Sequence, residues 1–232
     1  MKGKLYLIPT TLGGTHLKDV IPEGTLSSIA GITAFVVEEL RSARRFLSAA
    51  GYKGQIDSLE LMELNEHTPD AQIFTYVEFL KKGRDMGLIS EAGLPAVADP
   101  GSRLVELCHE SDIEVLPLTG PSSIFLALMA SGKNGQNFSF NGYLPVKSDL
   151  RRAKIKELER LSKTKGETQI FIEAPYRNLQ LLSDIMDVCS PSTKLTIACE
   201  LTIDSGFVKT RRVEEWKKMV PDINKKPTVF VL

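Results

Sequence analysis

Ile89-Ser-Glu-Ala-Gly-Leu-Pro-Ala-Val-Ala-Asp-Pro-Gly-Ser-Arg-Leu-Val105 is the stretch on which the reading of this chain turns. It follows Met86-Gly-Leu-Ile89, a short apolar run that predicts the end of a buried strand. Gly93, Pro95, Pro100 and Gly101 stop the backbone from continuing as strand or helix. Ser102-Arg-Leu-Val-Glu-Leu-Cys-His109 then has apolar residues at helical spacing, with Ser102 as the expected N-cap. Strand, glycine-rich loop and helix in that order build a ligand site at the carboxyl end of a strand in an α/β sheet.

Outward from this segment the same alternation recurs. Leu5-Tyr-Leu-Ile8 predicts a first strand ended by Pro9, and Thr33 to Val37 a second strand. The second runs into a helix over Glu38 to Ala50 that stops at Gly51. A short strand at Leu61–Leu64, a helix from Pro69 to Lys82, a strand over Glu114–Leu118 and a helix from Pro121 to Ser131 complete the first half. Strands alternating with helices imply a mostly parallel sheet. The second half predicts strands at Asn137–Leu144, Gln169–Ile172, Lys194–Cys199, Gly206–Thr210 and Thr228–Leu232, in a mixed or antiparallel sheet. Its helices are expected at Asp149–Lys163 and Asn178–Val188. The expected organisation is two α/β domains, residues 1–132 and 133–232.

Composition bounds the rest. The 232 residues are 42% hydrophobic and 25% charged, ordinary for a globular chain. Lys plus Arg and Asp plus Glu are 29 each, so no overall field draws a polyanion, and any nucleic-acid contact needs a local basic patch. The three cysteines are scattered, and His16, His67 and His109 stand apart, so no metal site is expected. No apolar run reaches membrane-spanning length, and the N-terminal run breaks at Pro9. A soluble cytoplasmic protein without a membrane partner is the expectation.

Five loops follow strand-like runs: Pro9–Gly13, Ser90–Pro95, Thr119–Ser123, Ile172–Pro175 and Cys199–Thr202. Singly, each reads as a turn. Together they resemble the tetrapyrrole methylase superfamily of S-adenosylmethionine-dependent methyltransferases. The likeness is greatest to the ribosomal RNA small subunit methyltransferase I branch, which methylates a cytidine ribose 2′-hydroxyl. The matching residues are Leu5–Thr10, Ser90–Gly93 with Asp99–Gly101, and Pro117–Ser122. They continue with Gly142–Pro145 followed by Arg151 and Arg152, then Glu173–Arg177 and Glu200–Thr202.

The resemblance implies two α/β domains with S-adenosylmethionine in a cleft between them. Its implied contacts are Pro9, Leu12, Ala92, Gly93, Leu94, Val97, Ser122, Ser123, Glu173 and Leu201. It also implies a homodimer, and ribosomal RNA or the small-subunit particle as partner. The chain departs from the branch at Thr11, Gly14-Thr15, Glu39-Leu40, Glu91, Leu94 and Tyr176, and it stops at Leu232 without a further C-terminal segment common in that branch. These departures bear on the substrate more than on the cofactor.

Individual residues read two ways. Glu39 ends the second strand and is the expected general base, or else the carboxylate that caps the following helix. Arg41 and Arg177 hold a phosphate or carboxylate of the substrate, or form structural ion pairs. Arg151 and Arg152, with Lys147, Lys154 and Lys156, form a basic cluster for RNA phosphates, or a solvated helix face. Trp216 reads as core. The expected activity is methylation of a ribose 2′-hydroxyl in small-subunit ribosomal RNA. The alternatives are methylation of a tetrapyrrole or other small molecule, and a non-catalytic cofactor- or RNA-binding protein.

Overall fold

The computed structural model describes residues 1–14 and 16–232; Thr15, one of the departures from the branch, lies outside the described residues. The chain divides into two compact units, Met1–Ser122 and Ser123–Leu232.

The first unit is a parallel sheet of β1 (Leu5–Ile8), β2 (Ala34–Val37), β3 (Glu60–Glu63), β4 (Met86–Ile89) and β5 (Val115–Pro117), in the order β3-β2-β4-β1-β5. Both faces are covered, which is why the central strands are apolar at nearly every position. On one face Ile8, Phe35, Val37 and Ile89 pack with α1 (Leu17–Val20), α2 (Glu23–Ile29) and α3 (Leu40–Leu47). On the other, Leu5, Val36, Met86 and Leu88 pack with α4 (Asp70–Lys81) and α5 (Ser102–Glu110). Chain leaving β1 therefore covers one face, and chain leaving its neighbour β4 reaches α5 on the other. Such a reversal opens a crevice at the carboxyl ends of the two strands, where open α/β sheets bind ligands.

The second sheet has β6 (Phe138–Tyr143), β7 (Thr168–Ile172), β8 (Lys194–Cys199), β9 (Phe207–Arg212) and β10 (Thr228–Val231), in the order β6-β7-β10-β8-β9. Only the β6–β7 pair is parallel, so this sheet is mixed, as its pattern predicts. One face packs on α7 (Ser148–Lys165), α8 (Asn178–Val188) and α9 (Val213–Lys218). Trp216 is 2% exposed within that layer and donates its indole N–H to the Leu195 carbonyl. The other face packs on Ile124, Ala127 and Leu128 of α6 (Ser123–Ser131). That packing groups α6 with the second sheet, so the units divide ten residues before the boundary expected at 132/133. Ser102 proves to be the first residue of α5 rather than its cap; Gly101, at φ +128°, holds the N-cap position.

A candidate ligand site at the carboxyl ends of β1 and β4

The loops leaving β1 and β4 are tied together. The Thr10 amide donates to the Gly93 carbonyl at 2.8 Å, and the Thr10 hydroxyl donates to the Ser90 carbonyl at 3.4 Å. Gly93 has φ +77°, and a Cβ there would stand 3.1 Å from the Leu12 side chain, so Leu12 lies over the turn. The loop after β5 closes on the same place: a Cβ on Gly120 would fall 2.3 Å from the Pro9 ring. Pro9, Leu12, Gly93 and the Gly120–Ser122 turn, the first and last more than a hundred residues apart in sequence, thus form one cluster of loops. Ala92 and Val97 are exposed there and Leu94 is half-buried.

Among the described residues, six other than glycine have positive φ; two of these lie within the Cys199–Thr202 loop and two just beyond the Ser90–Pro95 loop. Ala96 (+63°) and Ala98 (+64°) follow β4; Glu200 (+50°) and Thr202 (+70°) follow β8. Such backbone costs on the order of 1 kcal/mol or more per residue and collects at ligand-binding turns.

In the second unit, Ser123 opens α6, Glu173 follows β7 and Leu201 follows β8. Their neighbours Ile124 and Ile172, and Leu201 itself, belong to one apolar cluster. Glu173 has a fully buried side chain, and its Oε1 accepts from the Arg177 Nη2 at 2.6 Å, the Arg177 Nε at 3.0 Å and the Ala174 amide at 2.8 Å. Its Oε2 is buried with no hydrogen-bond partner.

An acidic group stands beside the first cluster. Glu38, next after β2, accepts the Glu91 amide on Oε2 at 3.0 Å. Burial raises its carboxyl above the usual range. Asp99 is raised further, to about 6, chiefly by burial and then by the Glu38 charge; the Ser90 hydroxyl opposes the rise and Glu91 adds to it. Asp99 therefore titrates close to neutrality, a property the sequence did not single out. Its signal in the sequence is the Asp99-Pro-Gly101 turn that follows β4.

Glu39 takes the second of its two readings. Its Oε1 accepts the Arg41 amide at 2.8 Å and its Oε2 the Ser42 amide at 2.7 Å, so it is the N-cap of α3. Those amides hold its carboxyl below the usual range. The Arg41 side chain is exposed and in no ion pair within 4 Å among the described residues. Arg177 is paired with Glu173.

Arg151 is a correction. It is 4% exposed; its Nη2 and Nε bind Asp184 Oδ2 at 2.6 and 2.7 Å, and its Nη1 donates to the Val146 carbonyl at 2.7 Å. Every guanidinium nitrogen is thus committed inside the unit, because the first turn of α7 packs onto α8, and none is left for an RNA phosphate. Arg152 is partly exposed and bridges Asp184 at 3.1 Å and Asp187 at 2.9 Å.

Among the described residues no group of three or more His, Cys, Asp or Glu is placed to hold a metal ion, and no helix is long and apolar enough to cross a membrane.

The two-sheet architecture is that of the tetrapyrrole methylase fold. The crystal structure of the methyltransferase CobJ superposes on 99% of this chain and 93% of its own, with TM-score 0.64 at 16% identity. Uroporphyrin-III-C-methyltransferase from Thermus thermophilus covers 100% of this chain and 92% of its own, at TM-score 0.54 and 19% identity. Within that fold the chain belongs to the ribosomal RNA small subunit methyltransferase I family. It is 32% identical to the Haemophilus influenzae protein of that name over 100% of this chain and 79% of the relative. It is 34% identical to the Vibrio cholerae one over 198 residues, 85% of this chain. That match spans 65% of the Vibrio protein's length, just under two thirds. No family model matches the chain.

Proposed function

We propose that the protein transfers a methyl group from S-adenosylmethionine to a ribose 2′-hydroxyl of small-subunit ribosomal RNA, free or within the particle, in the cytoplasm and as a homodimer. One observation carries this reading: the likeness to relatives named for methylation of that RNA runs along the whole chain.

The residues present suit such a cofactor. The buried, partnerless Oε2 of Glu173 offers an acceptor to a ligand hydroxyl or amine. Around Gly93 the backbone is shaped into a close turn without side-chain bulk. Pro9, Leu12, Ala92, Gly93, Leu94, Val97 and Ser122 of the first unit, and Ser123, Glu173 and Leu201 of the second, are the proposed contacts. When bound, S-adenosylmethionine supplies the methyl group as an electrophile on a sulfonium.

The protein's part is then largely positioning, since an in-line displacement depends on alignment of the two reactants. The Thr10–Gly93 tie fixes the loops that would hold them. A hydroxyl nucleophile also has a proton to lose. Glu39 is poorly suited to take it, with both oxygens on helix amides. Asp99, whose proton affinity lies near neutral pH, is the better suited carboxyl. Arg41 and Arg177 are the proposed substrate-side cations, Arg177 through its bridge to Glu173. Exposed Phe125 and Met129, one turn apart on α6, offer apolar surface for self-association.

Methylation of a small molecule is favoured by one fact: a formal net charge of zero gives no general attraction to RNA. Incubating the protein with labelled S-adenosylmethionine and either unmethylated small-subunit particles or naked ribosomal RNA separates the readings. Label at a ribose 2′-oxygen upholds the proposal; no transfer to either RNA form sinks it.

A further inference from the structure

A cavity of about 360 Å³ lies in the first unit at the carboxyl ends of β1 and β4. One wall is a single helix face: Ser42, Arg45, Phe46 and Ala49, at spacings of three, four and seven along α3 and the turn after it. The facing wall is Thr10, Thr11, Ile89, Ser90 and Glu91. The chemistry of this lining is mixed. Phe46, Leu17 and Ile89 give it an apolar side. Ser90 is 4% exposed, and its hydroxyl makes no hydrogen bond of ordinary length. Arg45 is exposed at the rim and in no ion pair within 4 Å among the described residues. Glu91 adds a carboxylate.

None of the residues proposed to touch the cofactor lines this cavity, yet the two sets interleave in the chain. Thr10 and Thr11 sit between Pro9 and Leu12, and Ser90 and Glu91 immediately precede Ala92. A methyltransferase needs a second pocket directly beside its donor, because the acceptor atom must approach the methyl carbon in line.

Resting on the methyltransferase reading above, we propose that this cavity is the acceptor pocket and takes a single nucleotide lifted out of an RNA strand. Arg45 holds its phosphate, Phe46 and Leu17 pack against its ring, and the Ser90 hydroxyl and Glu91 carboxylate meet its polar edge. Each assignment follows from the chemistry of the group. An unpaired arginine at a rim suits a phosphate. The buried Ser90 hydroxyl faces Asp99 but makes no hydrogen bond within 3.5 Å, so it can still meet a ligand. A carboxylate accepts from the exocyclic amine of a cytosine. The volume is at the small end for ligand pockets, roughly 300–1,000 Å³. A nucleotide still stacked in its strand presents no isolated ring to such a recess, so it must be extruded. A tetrapyrrole bearing several carboxylates would meet one cation and one opposing carboxylate here, a poor match in charge.

The test uses Ala49→Trp and Arg45→Ala, both at exposed positions so that the core is untouched. Ala49→Trp fills the recess from its helical wall. It should cut methyl transfer to small-subunit particles by at least about tenfold while cofactor affinity by calorimetry stays within about twofold. Arg45→Ala should raise KM for the particles roughly tenfold and leave kcat nearly unchanged, since a lost phosphate contact is lost equally in ground and transition states. In a binding arm, 5′-CMP is titrated into the cofactor-loaded protein. It should shift the amide resonances of Ser42, Ser90 and Glu91 in the wild type and not in Ala49→Trp. Wild-type transfer that neither substitution changes overturns the pocket and leaves the activity standing. Absence of transfer to RNA, with 5′-CMP shifts that Ala49→Trp abolishes, upholds the nucleotide pocket and overturns the assigned activity. Absence of both overturns both.

Discussion

Arg177 holds one oxygen of Glu173 at 2.6 Å and leaves the other buried with no partner. A structural ion pair alone would satisfy both oxygens, because an unmet buried acceptor costs about 1–3 kcal/mol. The free oxygen therefore points to a ligand donor. Glu173→Gln keeps an acceptor for Arg177 but removes the charge. Calorimetry should show S-adenosylmethionine affinity reduced roughly tenfold or more, the usual worth of a hydrogen bond to a charged group. An unchanged affinity would remove Glu173 from the cofactor's contacts.

Gly93→Val bears on the first-unit loops. The side chain would have to adopt φ +77° and would press on Leu12. The substitution should weaken cofactor binding through a displaced turn and lower the melting temperature, because a β-branched residue is strained at positive φ. Thermal melts with and without cofactor separate the two effects. Wild-type affinity in a protein of unchanged melting temperature would show that the turn is not held as described.

Asp99 gives a pH dependence of definite sign. Its folded-state carboxyl, at about 6, lies above the ordinary value of 3.8, so the folded protein binds the proton more tightly than the unfolded chain. This contribution to stability is fully present below about pH 4 and is lost as pH rises through about 6. Asp99→Asn removes the penalty of ionisation and should stabilise the protein at pH 7.5 by on the order of 1–2 kcal/mol after solvent screening. It should also flatten the stability profile between about pH 4 and 6. If Asp99 also takes the substrate proton, the same variant loses kcat and the acidic limb near pH 6 disappears. A pH–stability curve identical to wild type would contradict the burial of this carboxyl.

Much of the fold was legible because its strands are short, apolar and bounded by Gly and Pro. Leu5–Ile8, Met86–Ile89, Asn178–Val188 and Lys194–Cys199 fall where the pattern places them. The elements missed were α1, α2 and α9, each of four to seven residues. A helix that short shows too few turns for its spacing to register, and tertiary contacts hold it. In the site, the loops were visible as breaks after strands, but their joining through Thr10 and Gly93 was not, since register and crossover decide it. Glu39 and Arg151 show the same limit: a charged residue reads alike whether it faces a ligand, caps a helix or meets a buried partner. Asp184, 33 residues from Arg151, could not be paired with it from spacing.

The buried pair of Arg151 and Asp184 makes a stability prediction. Both side chains are under 5% exposed, so removing one leaves the other charged and unpaired in the interior. Arg151→Ala and Asp184→Ala should each cost about 3–5 kcal/mol in denaturant unfolding. Arg152→Ala, at a partly exposed bridge, should cost about 1 kcal/mol or less. A loss under about 1 kcal/mol for Arg151→Ala would show the pair to be solvated.

That pair also decides how RNA binding by α7 is tested. Arg151→Ala destabilises the second unit, so a loss of RNA binding in that variant does not report on phosphate contacts. The side chains that remain for phosphates are Lys147 and Lys156, exposed and in no ion pair within 4 Å among the described residues. Lys154 is already paired with Glu157 at 3.0 Å. Lys147 stands at the N-cap of α7, and Lys156 shares a shallow recess with Ser148, Asp149 and Arg152. Each lysine on a single-strand phosphate adds about 0.7 to the slope of log K against log salt. The Lys147→Ala/Lys156→Ala double variant should therefore lower that slope by about 1.4 for a small-subunit RNA fragment, with cofactor affinity and melting temperature unchanged. Equal slopes in wild type and variant would place RNA elsewhere on the surface. A wild type with no RNA affinity at low salt, free or in the particle, would favour the small-molecule substrate.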